Sequence, residues 1–474
     1  MIRIGTSRFS RAALLMMVGT ALSQIIALGS APLLTRLYEP AVFGVFATVV
    51  ALAGILAIPA TLRYELAILL PERDEDARTI ALGAIAIAFW VTVGVMAVMM
   101  GAWYLVPAFG TMSSLGLWLF AIPPLAFCVA VQSTAVYFAN REHRYGRIVC
   151  GNLVQQAIAA LLGVGFGLGA MKVGGLYLSR LAGYISASAT LGVVALVRSF
   201  FVEGFDRTAF RDLAARYRQF PVFNVAYSLL GVLSRDFPVL ALTAFGLVSS
   251  AGHFALARIA ATFPANFLTA SISQVFYREA AEKIDTPPFQ DMIWNLMRAL
   301  AFGLVPFFLL AALWSSPLFP KMLGENWRET GHMFALLASP MTLALLTGWP
   351  ERIFEIRAKQ YWSLAVQFVF DSMVVVSVTA LLFYGYDIDI VLTVFAAILS
   401  GYQLTYLALV FVLTGLGLRK YCTLLAMLAA VVAGMLLGHF GAGMVLTPIH
   451  TFLASLVLAG SFSAIGLRFG LRVL

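Results

Sequence analysis

Apolar residues run along this chain in about fourteen stretches, each long enough to cross a bilayer, and polar residues collect in the short connections between them. A hydrocarbon core of roughly 30 Å needs about 20 apolar residues at 1.5 Å rise per residue, and only a helix satisfies its own backbone over that distance. The pattern predicts helices over 12–35, 42–64, 77–106, 115–139, 148–170, 174–198, 217–246, 250–276, 291–315, 332–356, 360–384, 388–414, 420–438 and 443–467. The expected fold is an all-α polytopic membrane protein with about 14 transmembrane helices.

Arginine and lysine sit in alternate connections, which orients the expected helices. One side takes Arg3, Arg8 and Arg11, then Arg73 and Arg78, the Arg141, Arg144 and Arg147 group, and the cluster from Arg198 to Arg218. It also takes Arg278, Lys283, Arg352, Arg357, Lys359, Arg419, Lys420, Arg468 and Arg472, whereas the other side has only Arg36, Lys172, Lys321 and Arg328. The positive-inside rule makes the rich side, and with it both termini, cytoplasmic. The basic start before an apolar run imitates a secretory leader, but the run from Ala12 to Leu34 exceeds the usual apolar region of roughly 7–15 residues, so an uncleaved first helix is expected.

Composition agrees: with 61% hydrophobic and 11% charged residues the chain falls outside the range of soluble proteins. A formal charge of +9 would suggest nucleic acid in a soluble protein, yet here the positives stand at helix ends and no nucleic-acid partner is expected. Cys128, Cys150 and Cys422 have neither disulfide nor zinc spacing and read as small core residues. The five histidines are scattered singly near loops and read as interfacial. The run Gly163, Gly165, Gly167, Gly169 lacks the strand-turn-helix setting of a phosphate loop and reads as close helix packing. No cofactor, metal site or catalytic triad is predicted, and no connection is long enough for a soluble domain.

A shift of 208 positions lays Leu34-Thr35 over Leu242-Thr243, Gly44 over Gly252 and Phe46-Ala47 over Phe254-Ala255. Spans 1–2 then correspond to spans 7–8, so the unit of repetition is six helices, and an even number makes the repeat parallel. The expected organisation is a six-helix lobe over 1–198, a cytoplasmic linker over 199–216, a second six-helix lobe over 217–414, and two further transmembrane helices over 415–474.

Charges inside the spans are the candidate chemistry, because an arginine at bilayer centre costs about 2.5–3.5 kcal/mol on the insertion scale. Arg235 and Asp236 precede the turn near Val248 and Arg258 follows it, which puts all three roughly 15–18 Å from the outer surface. One aspartate neutralises one arginine, so this set keeps a positive charge suited to phosphate oxygens. Arg180 and Arg298 lie about two turns inside spans 6 and 9 as further candidates. Asp371, one turn past Gln367, is a candidate for proton or sodium coupling. Arg63 and Glu65 stand at the cytoplasmic end of span 2, where a pair can gate the inner mouth, meet an entering anion or anchor the helix.

The segment Leu33-Leu34-Thr35-Arg36-Leu37-Tyr38-Glu39-Pro40 with Phe43-Gly44, then Arg63-Tyr64-Glu65-Leu66-Ala67-Ile68 and Leu70-Pro71, resembles the start of bacterial oligosaccharide flippases of the Wzx type. The turn with Ala251-Gly252-His253-Phe254-Ala255-Leu256-Ala257 is similar to theirs as well. That family stands with lipid II flippases and multidrug antiporters of the MATE type, and membership implies two six-helix lobes around a central cavity in the bacterial cytoplasmic membrane. It further implies export of undecaprenyl-pyrophosphate-linked sugar units, of O-antigen or exopolysaccharide kind, by alternating access, with polysaccharide assembly proteins as candidate partners. The competing readings are an ion-coupled antiporter for small drugs and a membrane-embedded polymerase or acyltransferase. The first would favour acidic or aromatic linings and the second a large outer loop or catalytic histidines within the spans, so a non-enzymatic flippase is expected.

Overall fold

The computed structural model describes residues 8–105, 115–202, 204–283, 285–444 and 447–470, and among them there is helix but no strand. The chain runs through α1 (Arg8–Leu37), α2 (Pro40–Ala60), α3 (Tyr64–Ala67), α4 (Asp74–Leu105), α5 (Ile122–Arg141), α6 (Tyr145–Leu168) and α7 (Val173–Thr190). It continues with α8 (Val193–Val202), α9 (Arg207–Arg216), α10 (Val225–Ala244), α11 (Val248–Lys283), α12 (Pro287–Gly303), α13 (Val305–Leu313) and α14 (Ser315–Leu323). The remainder forms α15 (Arg328–Thr347), α16 (Ile353–Ile356), α17 (Gln360–Phe383), α18 (Ile388–Leu413), α19 (Gly417–Gly443) and α20 (Pro448–Gly470). Arg3 and Arg472 lie outside the described residues.

Among the described residues eleven helical stretches are long and apolar enough to cross a membrane, or twelve if a bent pair over 220–244 is one span. Fourteen were expected; the other two fall on α7–α8 and on α11, which are helical but fail that test. After α7, the left-handed Gly192 (φ +95°) breaks the helix. Helix α11 carries His253, Arg258, Arg278 and Lys283, which dilute its apolar character.

Two compact units emerge: Arg11–Ala255, and Leu256–Leu474 with the start of α1. In the first, α6 packs along α7 through small residues, and a Cβ on Gly183 would come within 2.8 Å of the Gln155 carbonyl. The glycine run does the packing expected of it at alternate members. Gly163 and Gly167 lie against Leu34 and Leu37 of α1, while Gly165 faces open space. The Tyr38 hydroxyl donates to the Gly163 carbonyl at 2.7 Å, closing that contact.

The repeated glycines meet each other's helices. A Cβ on Gly44 would lie 1.9 Å from the Val248 carbonyl oxygen, and one on Gly252 would lie 2.0 Å from that of Pro40. Val248 and Pro40 are themselves related by the 208-residue shift, so the crossing of α2 and the start of α11 is reciprocal about a local two-fold. Thr48 and Thr243 join their hydroxyls 2.7 Å apart beside it. Only glycine permits backbones this close.

Helix α9 (Arg207–Arg216), which falls within the stretch expected as a linker, is amphipathic. Asp206 caps α9 by accepting from the Thr208 and Ala209 amides, and these hydrogen bonds, that of the Thr208 hydroxyl first, hold its carboxyl below the usual carboxylate range. Phe210 lies flat on Gly83 of α4 and edge-on to Tyr64, and Leu213 is buried beside them. Arg207, Arg211, Arg216 and Arg218 stay exposed.

In the second unit α15 is the most enclosed span, with 61% of its most apolar 18-residue window buried, against 17% for those of α17 and α20, where Phe368, Val376 and Val457 are exposed. Helix α20 packs along α12, where Gly466 meets the Gly303 backbone and Phe302 stacks between Phe462 and Phe469. Cys150 and Cys422 are exposed and Cys128 is half-buried, so the expectation of core cysteines is corrected: exposure of a small apolar residue is cheap where the surroundings are hydrocarbon. His253 departs from the interfacial reading, since it is buried in α11.

Candidate functional site

The helical turn Phe220–Asn224 and α10 together form a stretch that bends by 61° between Phe220–Leu233 and Arg235–Ala244. The cause is Pro238: it has no amide hydrogen to offer the carbonyl four residues back, on Ser234, and its ring clashes with that carbonyl. The bend therefore falls one residue before Arg235 and Asp236, roughly 14 Å of helix from Ala244. Arg235 Nη2 donates to Asp236 Oδ2 at 3.2 Å, with the carboxylate side 9% exposed and the arginine side 65% exposed. The pair is asymmetric in burial, and its open member is the cation.

Arg258 belongs to the other compact unit, half-buried about 15 Å of helix into α11. Thr262 donates its hydroxyl to the Arg258 carbonyl at 2.9 Å, and Ala257 and Ala261 are buried on either side. Of the three residues expected at one level, the structure joins Arg235 to Asp236 and presents Arg258 on its own helix.

Arg63 and Glu65 form a second centre. After Pro59 the chain leaves α2 through Leu62 (φ 49°) and Arg63 (φ 60°), two non-glycine residues in the left-handed region at a cost of about 1–3 kcal/mol each. Two side chains hold the turn. Arg63 Nη1 donates to Glu65 Oε1 at 3.0 Å, and its Nε and Nη2 donate to the Ser228 hydroxyl at 3.0 and 2.7 Å. Glu65 is 1% exposed, and its Oε2 has no hydrogen-bond partner among the described residues. The arginine thus ties the break after α2 to α10, ahead of the Pro238 bend.

The remaining candidates sit apart. Arg180 lies over the Tyr184 ring at 5.2 Å within α7, with its Nε buried and without a partner among the described residues. Arg298 lies between the rings of Trp294 and Phe469, at 5.1 and 4.2 Å. Asp371 is half-buried on α17. Among the described residues no group of three or more His, Cys, Asp or Glu can hold a metal ion.

Sequence reading missed Ser228, Pro238 and the buried Gln132–Gln155 pair, joined at 2.6 Å between α5 and α6. Pro238 had a signal, a proline three residues past a charge inside an apolar run. Ser228 had none, because its partner lies 165 residues away in sequence. A cavity of about 510 Å³ between α13, α15 and α19 was also missed; Leu313, Leu343, Leu428 and Met435 line it, along with the orphan hydroxyl of Thr342.

The arrangement of these helices is similar to that of two solved membrane proteins. The solved structure of lipid II flippase MurJ, in its inward closed conformation, matches with a TM-score of 0.68 at 11% identity, covering 96% of this chain and 99% of that one. An inward-facing multidrug resistance MATE family transporter of the MOP superfamily matches with a TM-score of 0.50 at 14% identity, covering 90% and 97%. At such identities the likeness is one of fold. No curated protein sequence matches closely enough to add to it. Residues 33–331 match the family described as polysaccharide biosynthesis protein, and the chain belongs to that family.

Proposed function

We propose that this protein is a flippase that carries undecaprenyl-pyrophosphate-linked oligosaccharide units, of O-antigen or exopolysaccharide kind, across the bacterial cytoplasmic membrane by alternating access. The observation that carries the reading is the Arg235–Asp236 pair at the Pro238 bend, a cation held in the middle of an apolar helix with its carboxylate buried and its guanidinium open. In a chain of the polysaccharide biosynthesis family, the anion to expect there is a pyrophosphate, which guanidinium forks bind in bidentate fashion. Arg235 meets the headgroup in this reading and Asp236 orients it, while Arg258 is proposed as a substrate-binding residue of its own unit. Arg63 and Glu65 work at the cytoplasmic mouth, with Arg180 as a flanking cation. Asp371 is the proposed site of proton or sodium coupling, and transport involves no covalent chemistry. The apolar cavity between α13, α15 and α19 offers room for hydrocarbon, which a lipid-linked cargo brings with it.

The test is the lipid-linked oligosaccharide pool of cells lacking the protein, probed with a sugar-modifying enzyme that cannot cross the membrane. Completed units should accumulate on the cytoplasmic side and surface polysaccharide should be lost. An unchanged pool accompanied by new drug sensitivity would move the assignment to a MATE-type antiporter.

A further inference from the structure

The middle of α12, at Trp294 and Arg298, meets the first turn of α19 and the last turn of α20. Trp294 is flanked by Arg298, one turn further along α12, and by Lys420 of α19, whose Nζ lies 6.0 Å from the ring centroid. Arg298 also stacks on Phe469, 4.2 Å from the ring centroid, and its Nη2 donates to Asn295 Oδ1. Rings on its faces and an amide on its edge hold the guanidinium in place. The acidic counterweight named by the contacts is Asp291, 3.9 Å from Lys420 and 72% exposed, which is the outer limit of an ion pair in solvent. Arg419 and Arg468 are exposed at the adjoining ends of α19 and α20.

Leu418 and Leu467, next in sequence to Arg419 and Arg468, are 60% and 66% exposed. Outward apolar side chains interleaved with basic ones, next to a tryptophan, mark the level where hydrocarbon gives way to headgroups. The arginine-rich connections assign this level to the cytoplasmic leaflet, where basic pockets between transmembrane helices hold anionic headgroups.

We infer that Arg298 and Lys420 beside Trp294, with Arg419 and Arg468 at the adjoining ends of α19 and α20, bind the phosphate diester of an anionic inner-leaflet phospholipid. The cations are spread along three helices, and Arg419 and Arg468 face outward among lipid-exposed leucines. That suits abundant monoanionic diesters rather than one convergent pyrophosphate. Arg298, nominated from the sequence as a cargo ligand, takes a different phosphate in this assignment. The site does not depend on the nature of the cargo, and its occupant would hold the two C-terminal helices to α12.

The test is native mass spectrometry of the purified full chain with phosphatidylglycerol, phosphatidylethanolamine or undecaprenyl phosphate added. Wild-type protein should retain phosphatidylglycerol at least about tenfold better than the Lys420→Gln/Arg468→Gln variant, and Lys420→Arg should retain it as wild type does. Phosphatidylethanolamine retention should be the same in all three. Equal phosphatidylglycerol retention in wild type and the double variant would overturn the assignment. So would displacement of phosphatidylglycerol by equimolar undecaprenyl phosphate, which would give the site to the cargo. If the double variant fails to fold, Trp294→Phe keeps every charge. Fluorescence quenching by phosphatidylglycerol brominated near its headgroup should then be smaller in Trp294→Phe than in wild type, and equal fractional quenching would count against the site.

Discussion

Arg235→Ala and Arg258→Ala proteins are expected to reach the membrane at wild-type levels and to lose sugar-unit export by about tenfold to a hundredfold each. The magnitude follows from a charged hydrogen bond to phosphate, worth about 1.5–3 kcal/mol, with each factor of ten equal to about 1.4 kcal/mol. Arg235 is 65% exposed, so its removal leaves no large cavity, and loss of transport without loss of protein separates binding from folding. Lysine at either position should restore only part of the activity, because a point charge does not replace the bidentate fork. Removing Arg235 also leaves Asp236 buried without that partner, so the Arg235→Ala/Asp236→Asn double variant is the proper control for a stray carboxylate. Immunoblots of membrane fractions and surface polysaccharide yields make the measurement; full export by both single variants would remove these arginines from the transport path.

Gly252→Ala and Gly44→Ala should act on the fold instead. Each new methyl carbon would sit 2.0 or 1.9 Å from a carbonyl oxygen of the opposing helix, and backbone has no rotamer by which to move aside. Overpacking of this kind costs about 1–3 kcal/mol where side chains can adjust, and a backbone obstacle puts these two at the upper end. Thermal unfolding of the purified proteins should show a clear fall in midpoint, and the two changes together should cost less than their sum because they push on one crossing. Gly54→Ala, on the same α2 with nothing within 4 Å of the added carbon, should leave the midpoint unchanged. A Gly252→Ala protein as stable as wild type would mean that the crossing of α2 and α11 is looser than described.

The helix pattern was legible because it rests on local spacing. Apolar runs announce helices, and Gly44 with Gly252 announced a shared turn whose reciprocal contact the structure then displays. Breaks inside the runs were less legible. The stretch 217–246 read as one apolar span, since hydropathy sums side chains and does not register that Pro238 removes a hydrogen bond from Ser234. The stretch 42–64 gave no sign that Leu62 and Arg63 turn left-handed, a conformation that non-glycine residues take only when other groups hold them there. Those groups, Glu65 and Ser228, are partly remote in sequence. Burial was the least legible property: in a membrane, alanine, cysteine and leucine suit the lipid face as well as the core. Composition therefore read Cys150 and Cys422 as core although they are exposed, and left the rim of α17 unassigned.

The central claim is movement of a sugar pyrophosphate lipid from one leaflet to the other, and the most direct measurement reconstitutes the full chain in liposomes. A fluorescent oligosaccharide on undecaprenyl pyrophosphate, placed in both leaflets, is followed by a membrane-impermeant reagent that destroys only outward-facing label. With wild-type protein the protected inner pool should become reactive over time, and with Arg235→Ala it should stay protected as in protein-free liposomes. An inner pool that stays protected with wild-type protein under an imposed proton or sodium gradient of either direction, while the same vesicles exchange an organic cation, would contradict the account.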